Sequence, residues 1–118
     1  MANPNIVSAT TIRGKTDVQS VGTTSTSITS NSAASGKVYK VNTLVVSSVG
    51  ASDAVVTADI YRGSTAYHLA KGLTVPLGSS IAIVAKENPV YLEEGDSIRL
   101  SAVSAGSAQG ICSYEDIS

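Results

Sequence analysis

Few residues in this chain have side chains able to carry out chemistry. His68 is the single histidine and Cys112 the single cysteine of 118 residues. A hydrolytic triad would need that imidazole to take the proton from an attacking serine hydroxyl or from the Cys112 thiol. The G-x-S-x-G elbow that lifts a serine onto a sharp strand-to-helix turn does not occur. His68 lies between Tyr67 and Leu69 in a strand-like run, so its expected role is structural. One His and one Cys also fall short of a tetrahedral zinc donor set. Gly14-Lys15-Thr16 matches the end of a phosphate-binding loop, but the position for the first glycine is Ala9 and no helical pattern follows. Glu93, Glu94 and Asp96 offer oxygen ligands for Ca²⁺, with Asp53 or Asp59 as further donors. Their spacing fits no EF-hand loop, and a solvated turn is the expected reading. Cys112, beside Ile111 and near Tyr114, reads as a small buried hydrophobe. No catalytic, cofactor-binding or metal residue is assigned and no cofactor is expected; an enzyme is the least favoured class.

Composition points the same way. Hydrophobic residues make up 42% of the chain, yet Phe and Trp are absent and five Tyr supply all the aromatic surface. The core must be built from Val, Ile, Leu and Ala, which suit a half-buried pleat. Charged residues are only 14%, with a net charge of −1, against roughly 25% in an ordinary soluble domain. A surface of Ser, Thr, Asn, Gly and Ala has little of the repulsion that keeps free proteins apart, which favours a protein packed against other subunits. Without a basic run or aromatic–basic interleaving, nucleic acid is not an expected partner. Apolar runs such as Ile81-Ala82-Ile83-Val84-Ala85 are far below the ~20 residues of a membrane helix, so no membrane partner is expected. The start, Met1 to Asn5, lacks a secretory pattern, and the lone cysteine forms no intramolecular disulfide; synthesis in a cytoplasm follows as the expectation.

The element pattern has period two throughout. The stretch from Pro89 to Val103 organises it: an apolar segment, an acidic turn bent at Gly95, then Ile98, Leu100 and Ala102 on one strand face opposite Ser97, Arg99 and Ser101. Asn5 to Arg13 alternates like an edge strand, with a break at Gly14-Lys15. The Thr/Ser-rich residues 17–30 read as a second, weakly packed strand. Lys37 to Val49 is a central strand, with Tyr39, Val41, Thr43 and Val45 on one face and Leu44 to Val46 buried on both. Ala54 to Arg62 and Ala66 to Val75 flank a Gly63-Ser64 bend, predicted as a type II′ hairpin, with Gly72 marking a bulge. Ser79 to Ala85 and Gly110 to Ile117 complete the set; the tail, 114–118, either finishes a sheet edge or reaches a neighbouring subunit. The pattern predicts an all-β, antiparallel β-sandwich of about eight strands, jelly-roll or immunoglobulin-like, without significant helix. Residues 1–118 form a single domain in this reading, with 1–5 as an extended N-terminal arm.

Several segments, in order along nearly the whole chain, resemble a known family. They are Met1-Ala-Asn-Pro-Asn-Ile-Val7, Ser35-Gly-Lys-Val-Tyr-Lys-Val-Asn42, the hairpin segments Asp59-Ile60-Tyr61 and Thr65-Ala66-Tyr67, the turn around Pro89 and Tyr91 to Asp96, and the closing Ser113 to Ser118. They are similar to small virion structural proteins of tailed phages, especially those of marine cyanobacterial phages. The resemblance implies a β-sandwich acting as a capsid decoration, or cement, protein on the head exterior. It implies a homotrimer between capsomers, with the major capsid protein or other virion proteins as partners. The expected contact residues are Ala2, Asn3, Pro4, Asn5, Ile6 and Val7 of the arm, the Thr/Ser-rich residues 23–30, and Glu93, Glu94 and Asp96 of the acidic turn. A neck, tail, baseplate or fibre-associated station is the second reading. A glycan-binding adhesin module, resting on the five tyrosines, is the third.

Overall fold

β-Branched residues alternating with small polar ones favour extended chain, and Gly, Pro, Asn and Ser punctuate it. The computed structural model, which describes residues 4–118, shows nine strands and a single 3-10 turn at Ile6–Ser8. The strands are β1 (Ile12–Val21), β2 (Thr26–Ser30), β3 (Val38–Ser48), β4 (Ala54–Arg62), β5 (Thr65–Val75), β6 (Ser80–Val84), β7 (Val90–Leu92), β8 (Ser97–Ala102) and β9 (Ala108–Ile117). One sheet, A, has the order β1-β9-β3-β6, with β7 also on β3; the other, B, has the order β2-β8-β4-β5. Every pairing is antiparallel.

The pairing is nested: β4 with β5, β3 with β6 and β7, β2 with β8, and β1 with β9. The chain is one long antiparallel ribbon, closed at the β4–β5 hairpin and rolled so that successive pairs fall in alternate sheets. That is the jelly roll, and it settles the choice between the two expected topologies.

Both sheets bury one shared cluster. Val41, Leu44 and Val46 of β3 face Val56 of β4 and Ile98 and Leu100 of β8, all fully buried. Full burial of such a side chain is worth about 1.5–3 kcal/mol each. With no Phe or Trp in the chain, the sheets close tightly where β9 meets β8. A Cβ on Gly110 would lie 2.4 Å from Leu100 Cδ1.

Several local expectations are corrected. The N-terminal residues do not begin as a strand: Asn5 Oδ1 accepts from the Val7 N–H and its carbonyl from the Ser8 N–H, which turns the chain. Gly14-Lys15 lies inside β1, held by ten consecutive partners on β9, and the Thr/Ser-rich run divides into the end of β1, a turn and β2. In β3 the register shifts between Val41 and Thr43. This bulge swaps the faces, so Val41 faces inward, as do Leu44, Val46 and Ser48, and the single-face row from Tyr39 to Val45 does not exist. Gly63 and Ser64 both have positive φ, 58° and 63°, so the hairpin bend is of type I′ rather than II′. β9 is not an edge; it pairs with β1 on one side and β3 on the other. Gly72 lies where the β4–β5 register shifts, and its N–H donates to Thr57 Oγ1.

Candidate functional site

The acidic turn after β7 is the first surprise. Glu94 and Asp96 are 5% and 2% exposed, so the turn is not solvated. Asp96 accepts from Arg62 Nε (2.9 Å) and Nη2, and from the Glu93 N–H (2.8 Å). Glu94 Oε2 accepts from the Gly36 N–H at 2.6 Å. Asn31, also buried, ties the same corner: its N–H donates to the Asp96 carbonyl, its carbonyl accepts from the Gly95 N–H, and its Nδ2 donates to the carbonyls of Lys37 and Leu92. Arg62 also pairs with Glu93 at 3.0 Å. The carboxylates proposed for Ca²⁺ or for a partner thus clamp the β2–β3 and β7–β8 loops to the end of β4. Asp53 and Asp59 lie elsewhere: Asp53 caps the Leu77 N–H, and Asp59 pairs with Arg99. Among the described residues no group of three or more His, Cys, Asp or Glu is placed to hold a metal ion.

A second buried carboxylate, Asp116, sits between Lys15 (2.9 Å) and Lys37 (3.4 Å). Burial pushes its pKa up, but the Lys15 hydrogen bond and the two ammonium charges outweigh that and hold it below the usual carboxylate value. Lys15 is correspondingly raised, chiefly by its hydrogen bond to Asp116.

His68 projects from sheet B, opposite Asp59 in register. Asp59 is engaged by Arg99 at 3.2 Å, and the Arg99 guanidinium lies 3.9 Å over the Tyr61 ring. Cys112 is in the other sheet with no exposed surface, so no thiol stands near the imidazole. Burial lifts the Cys112 pKa to about 11, with a hydrogen bond to Thr29 opposing. The thiol is a core group, not a nucleophile.

What remains is surface. On the outer face of sheet A, three successive rungs across the strands are uncharged. Val18, Ile111, Val45 and Ala82 form the middle one in direct register. Ser20, Gln109, Ser47 and Ser80 form the rung on one side, and Thr16, Ser113 and Thr43 lie on the other. Val18 is 73% exposed and Ile111 42%. Sequence reading missed this patch because it depends on the β3 bulge and on strand order, neither of which the alternation reveals.

Among the arm residues, Ala2 and Asn3 lie outside the described residues. Pro4 is half-buried, Asn5 exposed, Ile6 lies in the 3-10 turn, and Val7 is 95% exposed. The arm is tethered to Ser118, beside the Val38 end of β3, and the acidic turn bonds Gly36 just before β3, so both lie toward the same end of the sandwich.

No family model and no curated protein matches the chain. Among solved structures, it is similar to a chain from the work described as "Bacillus endospore appendages form a novel family of disulfide-linked pili". The TM-score is 0.56 and the identity 15%, over 92% of this chain and 87% of that one. At that identity the likeness is one of fold: nearly the whole of this sandwich superposes on a chain of comparable extent.

Proposed function

We propose that this chain is a non-enzymatic structural subunit that works by packing against protein neighbours in a larger assembly. The observation that carries the reading is the field of three uncharged rungs on the outer face of sheet A, with an exposed apolar rung at its centre. Such a face loses few solvated charges on contact, so apolar burial there is opposed by little desolvation. The fold shared with a chain from disulfide-linked pili supports an assembly role. In this chain Cys112 is the sole cysteine and is buried, so the proposed contacts do not rely on disulfides.

The resemblance to tailed-phage virion proteins supplies the setting. In the finer reading the chain is a decoration protein on the capsid exterior, a homotrimer contacting the major capsid protein, assembled after synthesis in the host cytoplasm. A neck, tail or fibre station is the second reading, favoured by the fold likeness to a pilus chain. Quantitative mass spectrometry of purified particles separates them. Copies in proportion to the capsomers support decoration, copies matching the tail or portal symmetry move the chain there, and absence from the particle overturns the phage setting.

A further inference from the structure

A sheet edge is a template for another strand unless something blocks it. Four long edges are open here: β1 and β6 in sheet A, β2 and β5 in sheet B. Three carry a blocking device. β1 bears Arg13, Lys15 and Asp17. β2 is bulged between Ser27 and Thr29, and the Gln19 amide covers the carbonyls of Thr26 and Ser27. β5 bears His68 and Lys71 and is broken by the Gly72 bulge. β6, Ser80-Ile81-Ala82-Ile83-Val84, is itself bulged, since Leu44 and Val45 take Val84 and Ala82 as partners; what sets it apart is that it has no charge and no proline and pairs only with β3.

The same chain carries a strand-like sequence without a strand partner. Residues 5–9, Asn-Ile-Val-Ser-Ala, are uncharged and include the β-branched pair Ile6-Val7, yet they form only a 3-10 turn; beyond them Thr10 and Thr11 donate to the Ser118 carbonyl, and the Ser118 N–H donates back to Thr11. Local propensity and observed conformation disagree, and Val7 is left 95% exposed. The arm cannot satisfy this within its own molecule. Its tether lies at the Val38 end of β3, because Ile117 pairs with Val38, whereas β6 pairs with Leu44 to Ser47. The offset is roughly 20–30 Å along the strand and about 14 Å across the sheet, a diagonal of roughly 24–33 Å, and residues 1–10 extend about 33 Å when fully stretched. The arm would exhaust its length before it could lie along its own β6.

We infer that residues 5–9 of one copy add as a strand to the outer edge of β6 in a second copy. Main-chain hydrogen bonds supply the affinity and the absence of charge on both strands permits the approach. The contact is head-to-tail, so it closes into a ring, such as a trimer, or continues as a filament, according to the rotation between copies. This inference rests on the assembly reading above.

Sedimentation velocity over a concentration series tests it with three chains: the full chain, one lacking residues 1–9, and Ala82→Lys. Ala82 is exposed and belongs to the apolar rung of the outer face, so the lysine burdens both edge and face and leaves the core alone. If the truncation still associates while Ala82→Lys stays monomeric, strand donation is overturned in favour of the face. The full chain is expected to self-associate and each variant to stay monomeric. Mixing the two variants should restore a one-to-one dimer, because one retains the edge and the other the arm. A full chain that self-associates while the truncation and Ala82→Lys do so equally overturns strand donation and leaves the assembly reading standing. A full chain that stays monomeric at every concentration overturns strand donation and self-assembly together.

Discussion

Gly110→Ala probes the closest approach of the two sheets. The new methyl would lie 2.4 Å from Leu100 Cδ1 and 3.3 Å from Ile28 Cδ1, where carbon atoms rest at about 3.5–4.0 Å. Leu100 is fully buried among the core cluster and has no solvent into which to swing. The shortfall of about 1 Å must be taken up by an off-rotamer leucine or by separation of β9 from β8, a cost of about 1–3 kcal/mol. At this chain length that lowers the melting temperature by roughly 3–6 °C per kcal/mol. Equilibrium urea unfolding of a double-mutant cycle gives the decisive form. Leu100→Ala alone should cost about 2–5 kcal/mol. Adding Gly110→Ala to it should cost almost nothing, because the clashing methyl is gone. The resulting coupling is about 1–3 kcal/mol. Additive costs in the cycle would refute the placement of Gly110 over Leu100, and with it the central position of β9.

Ser64→Gly should stabilise the chain by about 1 kcal/mol in urea unfolding, since Ser64 holds a φ of 63° in the hairpin bend that glycine adopts without penalty; a loss of stability would contradict the type I′ assignment. Asp96→Ala should cost about 2–4 kcal/mol, discounted for the half-exposed Arg62, by removing the acceptor for Arg62 and the Glu93 N–H; a neutral result would show that the clamp contributes nothing. The Asp116 carboxyl is held below its ordinary 3.8, so its contribution is complete above that value and is lost as pH falls through the folded-state pKa. An acid titration should therefore show stability falling below about pH 4, and Asp116→Asn should flatten that slope; an unchanged slope would contradict it. Cys112, buried and with its pKa raised to about 11, should resist iodoacetamide at neutral pH until the chain unfolds; prompt native-state labelling would contradict its burial.

Much of the sandwich was legible because alternation reports directly on a half-buried strand. Ala54 to Arg62 needs only its own pattern, and Ile98, Leu100 and Ala102 share the inward face as their spacing requires. What alternation cannot carry is parity and partnership. The Asn42 bulge inserts one residue and swaps the faces of β3, although nothing at Asn42 marks it locally. The tail, apolar and acidic by turns, reads as finishing a sheet edge or reaching a neighbouring subunit, but Asp116 is neutralised by lysines from β1 and from the residue before β3. The acidic turn reads as solvated for the same reason: its counter-charge, Arg62, lies 34 residues away and on another strand. Of the candidate contacts, the arm was visible as an uncharged terminus. The apolar rung on sheet A needed strand order to assemble Val18, Ile111, Val45 and Ala82 from four separate strands.

The central claim is that this chain functions by placing three uncharged rungs of one sheet face and an uncharged edge against protein neighbours. Cryo-electron microscopy of the intact assembly that carries it tests this most directly. The account predicts that the Val18–Ile111–Val45–Ala82 rung and the outer edge of β6 are buried in contacts with other chains. A map in which that face and edge are bare to solvent, with the chain held by some other surface, would contradict it.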